Sequence, residues 1–454
     1  MIGKPLRWLC ALALIVGVSG TVLEAKVRKD RTVVVISLDG FPAYALDDAR
    51  LPIPTIRKLA REGAIAASMQ PINPTVTWPN HTAIVTGVDA SVHQVLFNGL
   101  LTRPANGARP TIEPWRDKDV MVHAPTIYDV AYQAGLTTAQ VDWVAIYGAK
   151  TITWQFPELP NPNGTIEREL IADGDVTADQ LKTFEDSSQA WQDQIWTDAA
   201  VKILEKHRPN LLLFHLLTGD DTNHEYGPMS GASFTAMALL DSRVKQIVDV
   251  LQRTGLSRKT TLIIVSDHGF RTIEHKIRPN VLLRAKGLLS EGQGQSKGDA
   301  WVLSTGGTAM VYVTNPAQKS ELVPVLRGIL AGSEGIERVY EEDEFSKLGL
   351  PSSQASDQGP ALVLAATPGY AFANESEGGY VTSLAERGTH GYLNSDPKMD
   401  AIFIAWGAGV PKGSHLGSIS NLDVAPTIAA ILGLEMKQAK GHAIQQIVNS
   451  AASR

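Results

Sequence analysis

Six side chains able to bind a divalent cation stand at one kind of place in this sequence, just past an apolar run or beside glycines. Asp39 follows the run Thr32 to Leu38 (TVVVISL), Asp220 and His224 follow Leu211 to Leu217 (LLLFHLL), and Asp267 and His268 follow Thr261 to Val265 (TLIIV). His390 lies between Gly388-Thr389 and Gly391, where glycine allows close backbone approach. If the runs are strands of one open α/β sheet, ligands bind beyond their carboxyl ends, so these groups are expected to converge. Three carboxylates and three imidazoles suit two divalent cations of zinc type, held through nitrogen and oxygen. Two such cations, about 3.5–4 Å apart, clamp the attacking and leaving oxygens of an in-line displacement at phosphorus. Taken singly, each piece has a plainer reading. Asp39-Gly40 is a common turn pair, Asp267 can cap a turn beside an exposed His268, Asp220 and His224 can be solvated residues of a loop (DDTNH), and His390 can be a loop histidine. Only their conjunction points to chemistry.

A hydroxyl completes the set. In Asn73-Pro74-Thr75-Val76-Thr77-Trp78-Pro79-Asn80-His81, the stretch His81 to Thr86 reads as a helix ended by Gly87. Thr77 would then stand at a helix N-terminus, whose N–H groups and dipole favour an anion. A threonine hydroxyl is a poor nucleophile unless deprotonated, which direct coordination to a cation achieves near neutral pH. The plainer alternative is a helix cap.

The elements that must position these groups alternate in type. The β-branched run at Thr32 reads as a strand buried on both faces. A helix follows from about Ile53 to Glu62 with Pro54 in its first turn, and another from about Ser233 to Arg253 ends before Gly255. A late strand, Ala401 to Ala405, precedes a helix from Val424 to Leu432, with Asp423 as its cap and Gly433 as its terminator. Such alternation predicts an α/β fold with a central, mostly parallel sheet flanked by helices. Residues 271–385 break the rhythm with Gly/Ser-rich connections and a β-like run at Thr308 to Val313, which reads as an inserted smaller subdomain or lid. The core would be 26–270 together with 386–450.

With 44% hydrophobic and 19% charged residues, the chain can afford a sizeable core. Its formal charge of −6 argues against a stable nucleic-acid partner, which needs a basic face. Residues 1–25 have the three parts of a Sec signal peptide: Lys4 and Arg7, the apolar run Leu9 to Val18, then Ser19, Gly20 and Ala25. Cleavage after Gly20 or Ala25 predicts a periplasmic or secreted protein without a membrane anchor. The single cysteine, Cys10, falls inside this leader, so the mature chain would hold neither disulfides nor thiolate ligands. Any cation must rely on His, Asp and Glu.

Taken in order, the motifs resemble the alkaline phosphatase superfamily, and within it the nucleotide pyrophosphatase/phosphodiesterase group. They are Leu38-Asp39-Gly40-Phe41, Thr77-Trp78-Pro79-Asn80-His81 with Thr86-Gly87, Asn98, Asp220 through Pro228, Ser266-Asp267-His268-Gly269, Gly388-Thr389-His390-Gly391-Tyr392, and Asn421 to Leu434. The resemblance covers about residues 30–440. It implies an alkaline-phosphatase-like fold and two divalent ions, zinc by preference. Asp220, His224 and His390 would hold one; Asp39, Asp267, His268 and the Thr77 oxygen would hold the other. Thr77 would attack phosphorus to form a phospho-threonine that water then releases. Asn98 and the Trp78 N–H would bind a non-bridging oxygen. Trp78 replaces the family's usual phenylalanine, which stacks on a nucleobase. His215 takes the place of a usual aromatic, and Thr218-Gly219 that of an acidic-proline pair. The implied substrate is a phosphodiester or nucleotide pyrophosphate. The rivals are a phosphomonoesterase of the same superfamily, although no Lys-x-Arg signature follows Asn98 and Lys150 and Arg168 are isolated, and a catalytically inert metal-binding relative. A sulfatase would need a formylglycine precursor in a Pro-x-Arg context.

Overall fold

In the computed structural model, which describes Gly3 and residues 26–104, 107–291 and 296–452, the run Thr32–Leu38 is a central strand with every residue buried. Apart from Gly3, the expected leader lies outside the described residues. The strand belongs to an eight-stranded sheet in the order Ser414–Leu416, Ala64–Ala66, Phe403–Gly407, Thr260–Val265, Thr32–Leu38, Leu211–Leu216, Thr138–Val141 and Trp154–Phe156. Phe403–Gly407 runs antiparallel to both neighbours, and all other neighbours are parallel. The run is apolar at successive positions because both faces are covered. Val34, Ile36 and Leu38 pack with Phe214 and Leu240 on one side, while Val33 and Val35 pack with Ile263 and Ile428 on the other. Each such side chain contributes about 1.5–3 kcal/mol by leaving water.

The flanking helices Pro54–Glu62, Gly231–Arg253 and Val424–Leu432 stand where the sequence places them. Three local expectations change. The late strand begins at Phe403 rather than Ala401 and includes Trp406-Gly407. Asp423 is not a side-chain cap of its helix; it closes a capping box with Ser420 on the preceding 3-10 turn and accepts the His442 N–H. The segment DDTNH is not a loop but part of a helix, Thr218–Tyr226. There the four-residue spacing of Asp220 and His224 becomes one helical turn, with both side chains on one face.

Beyond the eight-stranded sheet, residues 300–366 form a four-stranded antiparallel sheet in the order Ala300–Ser304, Thr308–Val313, Leu362–Ala366 and Ile336–Tyr340. A three-stranded sheet of Tyr370–Phe372, Arg271–Ile277 and Val381–Thr389 lies between them in sequence. Its last strand runs across residue 385 and delivers His390. Among the described residues no helix is long and apolar enough to cross a membrane.

Candidate active site

All six expected cation-binding side chains meet at the carboxyl end of the central strands. Asp39 is fully buried one residue past its strand, and its Oδ1 lies 3.5 Å from His268 Nε2. That Nε2 is 3.0 Å from Asp267 Oδ2, and the His268 ring stacks on His390 with centroids 3.9 Å apart. His390 Nε2 is 3.9 Å from Asp220 Oδ1, and Asp220 Oδ2 is 3.5 Å from His224 Nε2. Two triads have donor atoms within 4.8 Å of one another, Asp220 with His224 and His390, and Asp39 with Asp220 and His268. Asp220 therefore stands between two positions, and Asp267 joins the second through His268.

The backbone fixes the histidine tautomers. His390 Nδ1–H donates to the Thr75 carbonyl at 2.9 Å, His224 Nδ1–H to that of Gly388 at 3.2 Å, and His268 Nδ1–H to that of Gly269 at 3.2 Å. Each Nε2 lone pair is thereby left for a cation. Among the described residues, Asp39 Oδ1, Asp220 Oδ1, Asp267 Oδ2 and His268 Nε2 are buried without a hydrogen-bond partner. Lone pairs thus face lone pairs, which is costly unless a positive charge lies between them. These residues fit divalent cations.

Glycines make the approach possible. Gly40 adopts φ +65°, donates its N–H to Asp267 Oδ1 at 3.2 Å, and would bring a Cβ within 2.8 Å of Phe270. A Cβ on Gly391, at φ +83°, would sit 1.6 Å from the Thr305 carbonyl. The first turn of the helix carrying Asp220 is anchored from outside. Asp193 accepts the N–H groups of Leu217 and Thr218 at 3.0 and 3.1 Å, doing by tertiary contact what a local cap would do.

Electrostatics match the geometry. Burial, then the charges of Asp267 and Asp220, hold the Asp39 carboxyl well above its ordinary range. Burial raises Asp220 to about 6, with His224 opposing and Asp267 adding to the shift. Burial pushes His268 down to about 3, and burial with the nearby rings of His268 and His224 drives His390 well below its usual value. His268 and His390 are accordingly neutral, the form that binds metal. The Asp220 carboxyl is protonated below about pH 6 and must lose that proton to accept a cation. Divalent-cation affinity of the metal-free chain is therefore expected to weaken at least about tenfold per pH unit below that point, zinc being the ion to test. Chelator competition at about pH 5 and pH 7.5 measures this, and equal affinities would contradict it.

Thr77 opens the helix Thr77–Thr86, with Val76 as its N-cap. It is not itself the cap. Its neighbours tie it to the cluster, since Thr75 holds His390, and His81, which donates to the Thr77 carbonyl at 2.9 Å, lies 3.8 Å from Asp267. Among the described residues the Thr77 hydroxyl and N–H have no hydrogen-bond partner. One expected donor is otherwise engaged: the Trp78 N–H donates to Asn98 Oδ1 at 3.0 Å. That bond orients the Asn98 amide and frees its NH₂ group, while removing the Trp78 N–H from contact with a substrate.

A profile of the type I phosphodiesterase / nucleotide pyrophosphatase family matches residues 33–393. The chain belongs to that family. It is 24% identical over 413 residues to mouse ectonucleotide pyrophosphatase/phosphodiesterase family member 1, covering 88% of this chain but 40% of that protein. It is likewise 24% identical to an uncharacterised pyrophosphatase/phosphodiesterase of Schizosaccharomyces pombe, over 90% of this chain and 78% of that one. The chain thus spans less than half of the mouse relative's length. Murine ectonucleotide pyrophosphatase/phosphodiesterase 5 superposes with a TM-score of 0.71 at 19% identity, over 92% of this chain and 99% of that chain, a likeness of fold.

Two cavities are lined by the residues on either side of Thr77 in this family member, one by Trp78 and the other by Val76. One, of about 420 Å³, is lined by Trp78, Trp115 and Tyr147 with the polar Gln140, Gln155 and Glu158. Trp78 meets Trp115 edge-on at 6.5 Å, and Trp115 meets Tyr147 at the same separation. The other, about 720 Å³, is bounded by Asn98, His224 and His390 and by groups the motifs do not contain, among them Phe97, Lys276 and Arg387. Arg387 pairs with Glu225. Phe97 and Tyr147 carry no motif signal, and Lys276 comes from a segment read only as an insertion.

Proposed function

We propose that this chain is an exported phosphodiesterase / nucleotide pyrophosphatase that hydrolyses phosphodiester or phosphoanhydride bonds through a phospho-threonine at Thr77. One observation carries the reading: six side chains able to bind a cation, four of them with buried donor atoms that lack a hydrogen-bond partner among the described residues, converge beside a hydroxyl at a helix N-terminus. Asp220, His224 and His390 would hold one divalent cation, and Asp39, Asp267, His268 and the Thr77 oxygen a second, zinc being favoured by the nitrogen and oxygen donors. Bound there, such ions supply positive charge against the phosphoryl oxygens and lower the pKa of the Thr77 hydroxyl.

The chain's own residues do the rest. The Thr77 oxygen, uncommitted to any protein acceptor, attacks phosphorus while the bond to the leaving oxygen breaks. Asn98, its carbonyl oxygen held by the Trp78 N–H, donates its NH₂ group to a non-bridging oxygen, and the free Thr77 N–H and helix dipole favour the same charge. Water then displaces Thr77 from phosphorus. The two cavities suit the two substituents of a diester. The aromatic one takes a nucleoside by stacking; the larger one, against His224 and His390, takes the leaving group.

Comparing bis-p-nitrophenyl phosphate with p-nitrophenyl phosphate tests the reading. Faster diester turnover is expected, and faster monoester turnover would move the protein to the phosphomonoesterases. For the aromatic cavity, Trp78→Ala is expected to raise KM for a nucleoside monophosphate p-nitrophenyl ester about tenfold, from a stacking contact worth ~1–3 kcal/mol. An unchanged KM would remove the nucleoside from that cavity.

A further inference from the structure

His215 stands behind the candidate cation cluster, in none of its triads. It lies in the strand Leu211–Leu216, in register with Ser37 of the central strand, and is fully buried. Its Nε2 is 3.0 Å from Asp39 Oδ2, the oxygen opposite the one that faces His268. Its Nδ1 is 3.0 Å from the Asp142 carbonyl and 3.1 Å from Asp142 Oδ2. The flat of the site is closed by His81, whose ring meets His215 edge-on at 4.3 Å, and His81 in turn meets Trp143 at 4.8 Å. Both ring nitrogens of His215 face only acceptors.

Asp142 is an unusual partner. It is fully buried and left-handed at φ +55°, a conformation that costs a non-glycine residue roughly 1 kcal/mol or more. Neither of its carboxylate oxygens has a regular hydrogen bond among the described residues. Its N–H donates to the Phe156 carbonyl at 3.0 Å, which ties the turn to an edge strand of the sheet. A buried carboxyl group held in a left-handed turn, with one imidazole beside it, is costly to keep for packing alone. What it does is hold the far side of the His215 ring.

We infer that His215 is a positioning residue, clamped by Asp142, that fixes the Asp39 carboxylate through Oδ2 so that Oδ1 alone is offered to a cation. A carboxylate free to turn about its last bond would exchange its two oxygens. A hydrogen-bond donor on one of them stops that turn and leaves the other lone pair aimed at the cluster. Partners of this kind, behind a metal ligand, typically change metal affinity or activity about 10–100-fold when removed. The inference rests on Asp39 being a cation ligand, as proposed above.

Two substitutions separate the ring's two contacts. Gln at 215 places its amide nitrogen near the Nε2 position and keeps a donor for Asp39; Asn places its nitrogen near Nδ1 and keeps the Asp142 side only. Zinc affinity of each purified variant is read by chelator competition, with the melting temperature of the metal-free protein measured alongside. His215→Asn is expected to bind the weaker zinc at least about tenfold less tightly than wild type, and His215→Gln to stay within a few-fold. If Asn and Gln lose affinity equally, or neither loses any, His215 is packing and the inference falls. Should both variants fail to fold, Asp142→Asn takes their place. Loosening the clamp is expected to weaken zinc binding several-fold, and wild-type affinity would overturn the inference. Wild-type protein that binds zinc but cleaves no diester would refute the proposed function while leaving this inference standing.

Discussion

Thr77→Ala is expected to abolish the covalent phosphoenzyme and to lower turnover by about four to six orders of magnitude, the scale seen when a nucleophile is removed. The methyl group keeps the helix start, since Val76 rather than Thr77 is the N-cap, and the three histidines among the candidate ligands make their backbone hydrogen bonds without the hydroxyl. Metal content should therefore stay near that of wild type. Acid-quenched intact mass measurement after brief exposure to a slow diester substrate checks both halves. Wild-type protein should gain one phosphoryl or nucleotidyl adduct, and the variant none. Activity close to wild type in the variant would transfer the nucleophile elsewhere, to a solvent hydroxyl.

His390→Ala carries the next largest effect. His390 is the ring that joins the two halves of the cluster, stacked on His268 at 3.9 Å and 3.9 Å from Asp220 by its Nε2. Alanine removes that donor and also the 2.9 Å bond to the Thr75 carbonyl, which keeps only the Gly391 N–H at 3.0 Å. Zinc content is expected to fall from about two ions per chain to about one, with turnover down by at least about 100-fold. Elemental analysis after dialysis against a weak chelator reads the first number, and a saturating diester assay the second. Unchanged stoichiometry would exclude His390 from the ligands.

The site was legible because its residues lie at chain positions that a parallel sheet brings together. The runs before Asp39, Asp220 and Asp267 are apolar at successive positions, since both faces of those strands are buried, and that pattern needs no neighbour to be read. Short strands such as Ala64–Ala66, Thr138–Val141 and Trp154–Phe156 are set by pairing rather than by composition, and were invisible for that reason. The helix Thr218–Tyr226 was hidden by its own residues. Gly219, Asp220, Asp221 and Asn223 favour turns, and the helix forms because Asp193 caps it and Gly231–Arg253 packs against it. Asn98 came with the motif, but its bond to the Trp78 N–H follows from a contact across twenty residues that spacing does not disclose. His215 matched a position where the family has an aromatic, and only the fold shows that it stands between Asp39 and Asp142.

Anomalous diffraction from crystals soaked in zinc tests the central claim most directly. Two peaks are expected about 3.5–4 Å apart, one among Asp220, His224 and His390, the other among Asp39, Asp267 and His268 with the Thr77 oxygen in its coordination sphere. A single peak, or peaks that leave Thr77 outside coordination distance, would contradict the account.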